Sequence, residues 1–292
     1  MDRKKFLSSL ALLPFKTTAM KLNDLKKLSR SMESTVTMPV LFVGHGSPMN
    51  AIEHNEFTEG WHATAETIPK PKAILCISAH WETNGTLVTS MAKPKTIHDF
   101  GGFPQRLFDV QYPAPGSTEL AKETQGLITK TTVGLDEKWG LDHGAWSVIK
   151  QMYPDATIPV IQMSLDYNKT AQSQYDLAQE LAPLRKKGIL IIGSGNMVHN
   201  LRMIDWANQN QGFDWANEAN ETFKKLIAGN EHQELINYQK LGSAIELAIP
   251  TPEHYLPLLY VLALKGEDET VLFFNDKTVM GSLSMTSVKV GI

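Results

Sequence analysis

The stretch PVLFVGHGSPMN, residues 39–50, decides the fold, because a short apolar run ends there abruptly in Gly-His-Gly-Ser-Pro. A second apolar run, AILCISAHWET at residues 73–83, also delivers a histidine, His80. Continuous apolar runs are typical of strands that are covered on both faces of a sheet. Ligands of open α/β sheets collect at the carboxyl ends of the strands. Two strands that each end in a histidine therefore predict a shared site at one edge of a sheet.

Apolar runs rich in Val and Ile recur along the chain and alternate with segments of helical periodicity. This alternation predicts an α/β fold in a single domain, with a mostly parallel central sheet and helices on both faces. The predicted strands are residues 39–43, 73–79, 86–90, 158–165, 189–193, 270–274 and 284–290. The predicted helices are residues 56–67, 117–128, 144–152, 170–184, 213–228 and 254–265. Two Pro- and Gly-rich loops, residues 93–104 and 109–117, are long enough to suggest site-building elements.

The overall composition is that of a globular protein, with 292 residues, 42% of them hydrophobic, and a net charge of −3. No basic block is present, so the sequence offers no electrostatic case for nucleic-acid binding. Cys76 is the only cysteine. A disulfide framework and a cysteine-based zinc cluster are therefore excluded, and Cys76 is expected to be a small buried hydrophobe.

The first 37 residues differ in composition from the rest of the chain. A basic start, Arg3-Lys4-Lys5, precedes a short apolar segment from Phe6 to Phe15, which is faintly similar to a secretory or twin-arginine signal. That segment is too short to span a membrane, and no other segment approaches spanning length. We predict an N-terminal extension or candidate signal over residues 1–37 and a folded domain over residues 38–292. The expected location is the cytoplasm, and the alternative is export to the periplasm through the N-terminal segment.

Three of the nine histidines follow apolar strands, and these are His45, His80 and His199. The plain alternative for any one of them is a hydrogen-bonded capping histidine. Three strand ends that each carry a histidine make that alternative a poor explanation for the set. Gly44 and Gly46 let the chain turn sharply around His45 and leave room for a metal or substrate.

His254 lies in the segment IPTPEHYLPLLYVLALKG. Thr251 is a plausible helix N-cap with Pro252 at the first helical position, which places Glu253 and His254 in the first turn. Adjacent helical residues point about 100° apart, so usually only one of the two faces a given metal. His254 is the favoured ligand, and Glu253 stays open as the alternative.

The remaining histidines give weaker signals. His98 and His143 lie in loops or at helix starts beside an aspartate, so each is a candidate group near the substrate, with a local Asp–His hydrogen bond as the alternative. His54, His62 and His232 lie in polar surroundings and are expected to be solvated.

Other site chemistries fit less well than a metal centre. Imidazole suits Zn, Fe and Cu rather than Mg or Ca. Ser194 in GSG does not lie in the G-x-S-x-G turn of a serine hydrolase. Neither phosphate-binding glycine motif follows a strand, so nucleotide binding is disfavoured.

Eight longer motifs follow one another between Met38 and the end of the chain. They are LFVGHGSPMN, SAHWET, TIHDFGGFP, YPAPGS, GLDHGAWSVI, GSGNMVHNL, TPEHYLPLLYVL and MGSLSMTSV. In sequence and in order they resemble the motifs of the DODA-type (4,5-DOPA) extradiol dioxygenases, which belong to the class III extradiol superfamily.

The resemblance implies roles for five histidines. His45, His80 and His254 correspond to metal ligands. His199 corresponds to an active-site acid/base that in some zinc-bound relatives is close enough to count as a ligand, and His143 is similar to a second active-site histidine near the substrate. The related protocatechuate branch uses a glutamate as its third ligand, where this chain offers Glu253-His254.

The implied reaction is the ring cleavage of a DOPA-like catechol with O2 at one divalent metal ion. Fe2+ is expected for activity, because Zn2+ has no redox chemistry, although a histidine-rich site should bind Zn2+ more tightly and carry it after purification. His199 would serve first as base and later as acid, near its ordinary pKa of about 6.5. His143 would donate a hydrogen bond to substrate or oxygen. Trp81, Phe100, Phe103 and Trp146 are candidates for the walls of the ring pocket, with plain core or rim packing as the alternative.

Two other functions stay open on the same scaffold, namely a zinc-dependent hydrolase and a non-catalytic metal-binding protein. The expected partners are a catecholic small molecule and O2, with no nucleic acid and no membrane span. Monomer and homodimer remain open.

Overall fold

The computed structural model describes residues 37–291, and its centre is an eight-stranded sheet. The strands of this sheet are β1 Val40–Gly44, β2 Ala73–Thr83, β3 Thr86–Thr89, β4 Val133–Asp136, β5 Val160–Asp166, β6 Ile189–Gly195, β7 Val271–Phe274 and β10 Ser287–Val290. Their order in the sheet is β4-β3-β5-β2-β6-β1-β10-β7. Four central strands, β5, β2, β6 and β1, run parallel to one another, so their carboxyl ends lie at one edge. The predicted α/β class with a mostly parallel sheet is confirmed. A separate pair consists of β8 Thr278–Val279 and β9 Leu283–Ser284.

The flanks of the large sheet are partly antiparallel. β10 pairs antiparallel with both β1 and β7, and β3 pairs antiparallel with β5. β4 was not predicted, because its four residues, VGLD, include a glycine and show no clear apolar pattern.

The helices surround this sheet. Among residues 37–291 they are α1 Glu56–Glu66, α2 Gln105–Phe108, α3 Thr118–Leu127, α4 His143–Met152, α5 Ala171–Gln179, α6 Ala182–Lys186, α7 Asp214–Ala228, α8 His232–Ile236, α9 Ser243–Ala248 and α10 Leu256–Ala263. The longer ones match the predicted helices, whereas α2, α6, α8 and α9 are four to six residues long and too short to show a clear period.

Two prolines explain where the helical predictions were wrong. The predicted helix 254–265 begins only at Leu256, because Pro257 lacks an N–H and is tolerated only in a first turn. Residues 251–255 form bends and a turn instead, so Glu253 and His254 are not in the helix. The predicted helix 170–184 breaks into α5 and α6 for the same reason, since Pro183 lies in the first turn of α6.

Both faces of the sheet are covered by apolar side chains. Val40 and Phe42 of β1 belong to one core cluster, whereas Leu41 and Val43 belong to a second cluster on the opposite face. This two-residue alternation within a continuous apolar run is what a strand buried on both sides requires. Cys76 lies in the second cluster and is fully buried, as predicted.

The N-terminal predictions fall outside the described part of the chain. The structure does not describe residues 1–36, which contain the candidate signal. The domain boundary near Met38 therefore stays a prediction. Among residues 37–291, no helix is long and apolar enough to cross a membrane.

Candidate metal centre

Three adjacent strands of the parallel core bring histidines to the same edge of the sheet. β1, β6 and β2 are neighbours, and His45 directly follows the last residue of β1. His80 lies inside β2 rather than beyond it, which corrects the predicted strand end at residue 79. The pairing of β2 with β5 shifts register between Ile77 and Glu82, and irregularities of this kind re-aim side chains at the ends of sheets.

His254 joins these residues through the turn that precedes α10. The backbone N–H of Asn196, just beyond β6, donates a 2.9 Å hydrogen bond to the carbonyl of His254. The His254 side chain is buried and its ring centroid lies 5.3 Å from that of His45 and 5.0 Å from that of His80. One ligand atom from each of His45, His80 and His254 falls within 4.8 Å of the others.

The spacing of two nitrogens in this cluster suits a bound metal ion. The Nε2 atoms of His45 and His80 lie 3.2 Å apart. Two imidazole nitrogens that each lie about 2.0–2.1 Å from a common ion, at tetrahedral or octahedral angles, are about 2.9–3.4 Å apart. The two rings therefore already have a separation that one ion can bridge.

The hydrogen bonds of His45 establish its tautomer. Ser194 Oγ donates its single proton to the carbonyl of Gly144 at 2.5 Å and lies 3.0 Å from His45 Nδ1. Since that proton is committed to a carbonyl, His45 Nδ1 must supply the proton of the second bond. The Nε2 of His45 therefore carries a lone pair directed at the cluster.

His254 has the same arrangement. Its Nδ1 lies 3.0 Å from Glu253 Oε1, and an ionised carboxylate only accepts. The Nε2 of His254 is consequently an acceptor, yet it is buried without a hydrogen-bond partner. A buried polar atom without a partner is costly, and a cation shared with His45 and His80 would satisfy it. Glu253, left open as a ligand from the sequence, holds the Nδ1 side of His254 in this structure.

His199 packs directly on His254. The two rings are stacked with centroids 3.4 Å apart and planes 9° from parallel. Ligand atoms of His199, Glu253 and His254 also lie within 4.8 Å of one another. Burial, above all, lowers the pKa of His199 to about 4, below the value near 6.5 expected from the sequence. The ring is therefore neutral near pH 7.

Burial is also the main reason why the ligand histidines stay neutral. It lowers the pKa of His45 and of His254 well below the ordinary value, and the neighbouring imidazoles lower it further. The pKa of His80 falls to about 4, with burial as the largest cause and His143 next. Neutral imidazole is the form that binds metals.

His143 lies on the other side of His80. It is the first residue of α4 and its ring centroid is 3.9 Å from that of His80. Its aspartate partner is Asp99 of the 93–104 loop rather than the adjacent Asp142. Asp142 instead caps α4 and accepts hydrogen bonds from Ser78 and Gln162, each at 2.6 Å.

The other four histidines lie outside this cluster. His98 donates from Nε2 to the carbonyl of Val110 at 2.9 Å and has no ring contact with the five. His54 is an exposed partner of Glu59, and His232 lies 2.8 Å from the hydroxyl of Tyr175. His62 lies on α1.

The aromatic residues suggested as pocket walls divide into two kinds. Phe100 contacts His143 edge-to-face at 5.5 Å and Phe103 packs on Phe100, so these two lie beside the cluster. Trp146 is fully buried and donates its indole N–H to the carbonyl of Ile97, and Trp81 is buried against Trp139. These two tryptophans support the fold around the cluster.

Sequence comparison identifies the class of the protein. The profile of the family described as the catalytic LigB subunit of aromatic ring-opening dioxygenase matches residues 35–290. The chain belongs to this family and is an extradiol dioxygenase, which confirms the resemblance read from the motifs.

Named relatives agree with this class. A 4,5-DOPA dioxygenase extradiol of Escherichia coli K12 is 47% identical over 88% of this chain and 96% of its own length. A protein of the same name from Beta vulgaris is 37% identical over 85% of this chain and 94% of its own length. The crystal structure of an uncharacterized protein from Escherichia coli K12 is similar with a TM-score of 0.76 and 43% identity, covering 87% of this chain and all of that one.

Proposed function

We propose that this protein is a metal-dependent extradiol dioxygenase that opens the ring of a DOPA-like catechol with O2. The observation that carries the proposal is the unpartnered, buried Nε2 of His254, which lies in one cluster with the facing Nε2 atoms of His45 and His80. The names of the relatives support a catechol of the DOPA kind as the first substrate to test.

His45, His80 and His254 would hold the metal ion. Bound Fe2+ would supply the electron-transfer chemistry that ring opening with O2 needs, which Zn2+ lacks. Three neutral imidazoles add no charge to the ion, so a catechol that binds as a mono- or dianion would reduce the positive charge of the site. The neutral donor set therefore favours an anionic diol over a neutral ligand.

His199 would move the proton. It is stacked on His254 and neutral near pH 7, so it can accept a proton from a catechol hydroxyl and return it to the ring-opened product. The approach of an anionic catecholate would favour the protonated form of His199, which moves its pKa toward the working range. We assign His199 as the acid/base residue, and as an additional ligand only when Zn2+ is bound.

Phe100 and Phe103 would border the ring. Phe100 stands edge-on to His143, and the pair offers an apolar surface next to the histidine cluster. An edge-to-face contact between two aromatic rings is worth about 0.5–1.5 kcal/mol beyond its buried area. A contact of this kind with Phe100 would orient a catechol ring.

The test is reconstitution of metal-free protein without oxygen, first with Fe2+ and separately with Zn2+. Oxygen uptake and a coloured ring-opened product are then measured on a catechol panel that includes DOPA. We expect uptake with Fe2+ only. Hydrolytic turnover with Zn2+ under nitrogen would instead indicate a zinc hydrolase, and metal binding without any turnover would indicate a binding protein.

A further experiment separates ligand from acid/base roles. His199→Ala should keep Fe2+ near wild-type stoichiometry and lose turnover by at least about 100-fold, whereas His45→Ala and His80→Ala should lose the metal. His54→Ala, at an exposed histidine paired with Glu59, is the matched control and should change neither quantity.

A further inference from the structure

Asp99 makes two hydrogen bonds to His143, one to its backbone and one to its ring. Its Oδ1 accepts from the backbone N–H of His143 at 2.8 Å, and its Oδ2 lies 2.9 Å from His143 Nδ1. The two bonds engage both carboxylate oxygens and fix the carboxylate relative to the start of α4. The side chain of Asp99 is 18% exposed, so water competes only weakly for it.

The surroundings of Asp99 are those of a carboxylate. Its Oδ1 accepts a backbone N–H, and its Oδ2 faces two imidazole nitrogens, Nδ1 of His143 at 2.9 Å and Nδ1 of His80 at 3.5 Å. A carboxylate has no proton to give, so the bond to His143 must use a proton on Nδ1. In the neutral ring, Nε2 then carries a lone pair.

The loop that carries Asp99 is firmly attached to α4 and its surroundings. The N–H of Ile97 donates to the carbonyl of Leu141 at 2.7 Å, and the indole N–H of Trp146 donates to the carbonyl of Ile97 at 2.8 Å. His98 is fixed in turn by the carbonyl of Val110. The position of Asp99 is therefore set by the two residues that precede it.

The same oxygen also faces a second imidazole. Asp99 Oδ2 lies 3.5 Å from Nδ1 of His80, whose Nε2 faces His45. Histidines that bind metals usually present their other N–H to a carboxylate or carbonyl. One carboxylate thus serves two neighbouring rings, whose centroids are 3.9 Å apart.

We propose that Asp99 is a positioning residue that keeps His143 in its Nδ1–H tautomer, so that Nε2 is a hydrogen-bond acceptor for a hydroxyl of the bound diol. The assignment rests on the proposed function for the identity of the ligand. It replaces the donor role expected for His143 from the sequence, since a neutral ring held this way accepts at Nε2.

The isosteric variant Asp99→Asn gives a sharp test. The asparagine side chain keeps one oxygen of the carboxylate and has an NH2 group in place of the other. The backbone N–H of His143 needs an acceptor, so the amide oxygen should keep that bond and the NH2 should face Nδ1. The NH2 would then donate to Nδ1, which forces the proton onto Nε2 and inverts the tautomer. An equivalent inversion is the accepted effect of an Asp→Asn change behind the histidine of serine proteases.

The first readout does not require turnover. Long-range proton–nitrogen NMR spectra of the histidine rings, recorded on metal-free and Zn2+-loaded protein and assigned with His143→Gln, report which ring nitrogen carries the proton. We expect Nδ1–H for His143 in the wild type and Nε2–H in Asp99→Asn. Asp109→Asn, at an exposed aspartate whose side chain accepts a hydrogen bond from Gln105, is the control and should match the wild type.

The second readout is kinetic. At full Fe2+ occupancy, Asp99→Asn should lower kcat by about 100-fold or more with a smaller change in KM, whereas Asp109→Asn should leave both unchanged. An unaltered His143 tautomer in Asp99→Asn, or Nε2–H in the wild type, would overturn the assignment. Absence of ring cleavage by the wild type would instead count against the proposed function, and the NMR result would still decide the tautomer.

Discussion

The hydroxyl of Ser194 lies 3.0 Å from Nδ1 of His45 and links this histidine to the first turn of α4 through the carbonyl of Gly144. Ser194, a buried residue next to the end of β6, therefore determines which ring nitrogen of His45 is free to bind a metal ion. The Gly-Ser-Gly sequence at 193–195, which carries no nucleophile motif, has a function in this arrangement.

Removal of this hydroxyl should weaken metal binding. Ser194→Ala takes away the acceptor for the Nδ1 proton of His45, so the ring can rotate or change tautomer. Loss of such a partner typically costs about 10- to 100-fold in metal affinity. Chelator competition with Zn2+ measures this affinity, and Ser173→Ala, at an exposed serine of α5, is the control. An affinity for Ser194→Ala equal to that of the control would show that the Ser194 bond is dispensable.

Gly144 should be intolerant of a methyl group although it lies in a helix. A Cβ at this position would come within 2.6 Å of Ser78 Oγ and 2.8 Å of Cδ2 of His80. In an open helix, Gly→Ala stabilises by about 0.5–1 kcal/mol. We expect Gly144→Ala to displace His80 instead, with a loss of metal affinity and a lower free energy of unfolding.

Gly126 provides the matched control for that substitution. It lies in α3, and a Cβ there meets nothing within 4 Å. Gly126→Ala should raise the free energy of unfolding by about 0.5–1 kcal/mol without any effect on metal binding. Urea unfolding and chelator competition on both variants make the comparison, and equal behaviour of the two would contradict the steric argument.

The buried Arg185 should be a major contributor to stability. Its guanidinium donates to the carbonyls of Met38 at 2.8 Å and Leu264 at 2.5 Å, and it pairs with Glu269. Arg185→Met removes the donor to both carbonyls and the partner charge of Glu269, which keeps the backbone N–H of Gly266. Because Glu269 is partly exposed, we expect a loss of about 3 kcal/mol in urea unfolding, the lower end of what broken buried pairs cost.

The control for Arg185 is Lys187→Met. Lys187 also pairs with an acid, Glu123, but its side chain is 56% exposed. Exposed pairs contribute about 0–1 kcal/mol, so this variant should unfold close to the wild-type midpoint. A large loss in the control, or none in Arg185→Met, would refute the distinction.

The stability of the metal-free protein should fall in mild acid. The pKa values of His80 and His199 are lowered to about 4, against about 6.5 in an unfolded chain. Between these values the unfolded state binds more protons, so the free energy of unfolding rises with pH across this window and levels off above about pH 6.5. Each such histidine adds up to about 1.4 kcal/mol per pH unit.

Urea midpoints of chelator-treated protein between pH 5 and 8 would measure this dependence. His199→Ala should reduce the slope, because it removes one neutral buried imidazole. A stability that is constant over this range, or that increases on acidification, would be inconsistent with the lowered pKa values.

His45, His80 and His199 could be grouped from the sequence because apolar runs mark buried strands and parallel strands align their carboxyl ends. In the structure His45 and His80 cluster with His254, and the ring of His199 stacks on His254. Asp99 was beyond such reasoning. Asp99 lies in a loop, where no periodic pattern indicates the direction of a side chain. The residue that it contacts, His143, is also distant in the sequence. The motif TIHDFGGFP contained the signal, yet only the folded loop shows that its aspartate, and not its histidine, reaches the cluster.

The start of α10 shows a second limit. A Thr-Pro pair at residues 251–252 has the composition of a helix start, and Pro257 decided otherwise. The composition of residues 251–252 favours an earlier helix start, and Pro257 favours a later one. The requirement that a proline lie within the first helical turn decides for the later start.

Three consecutive residues at the start of α4 each serve a different partner around the cluster. Asp142 accepts a hydrogen bond from Ser78 of β2, His143 bonds Asp99, and the carbonyl of Gly144 accepts the hydroxyl proton of Ser194, which orients His45. A small rigid movement of this one helix would consequently be felt by several imidazoles together. Exchanges within this tripeptide should therefore be strongly epistatic with changes at residues 78, 99 and 194.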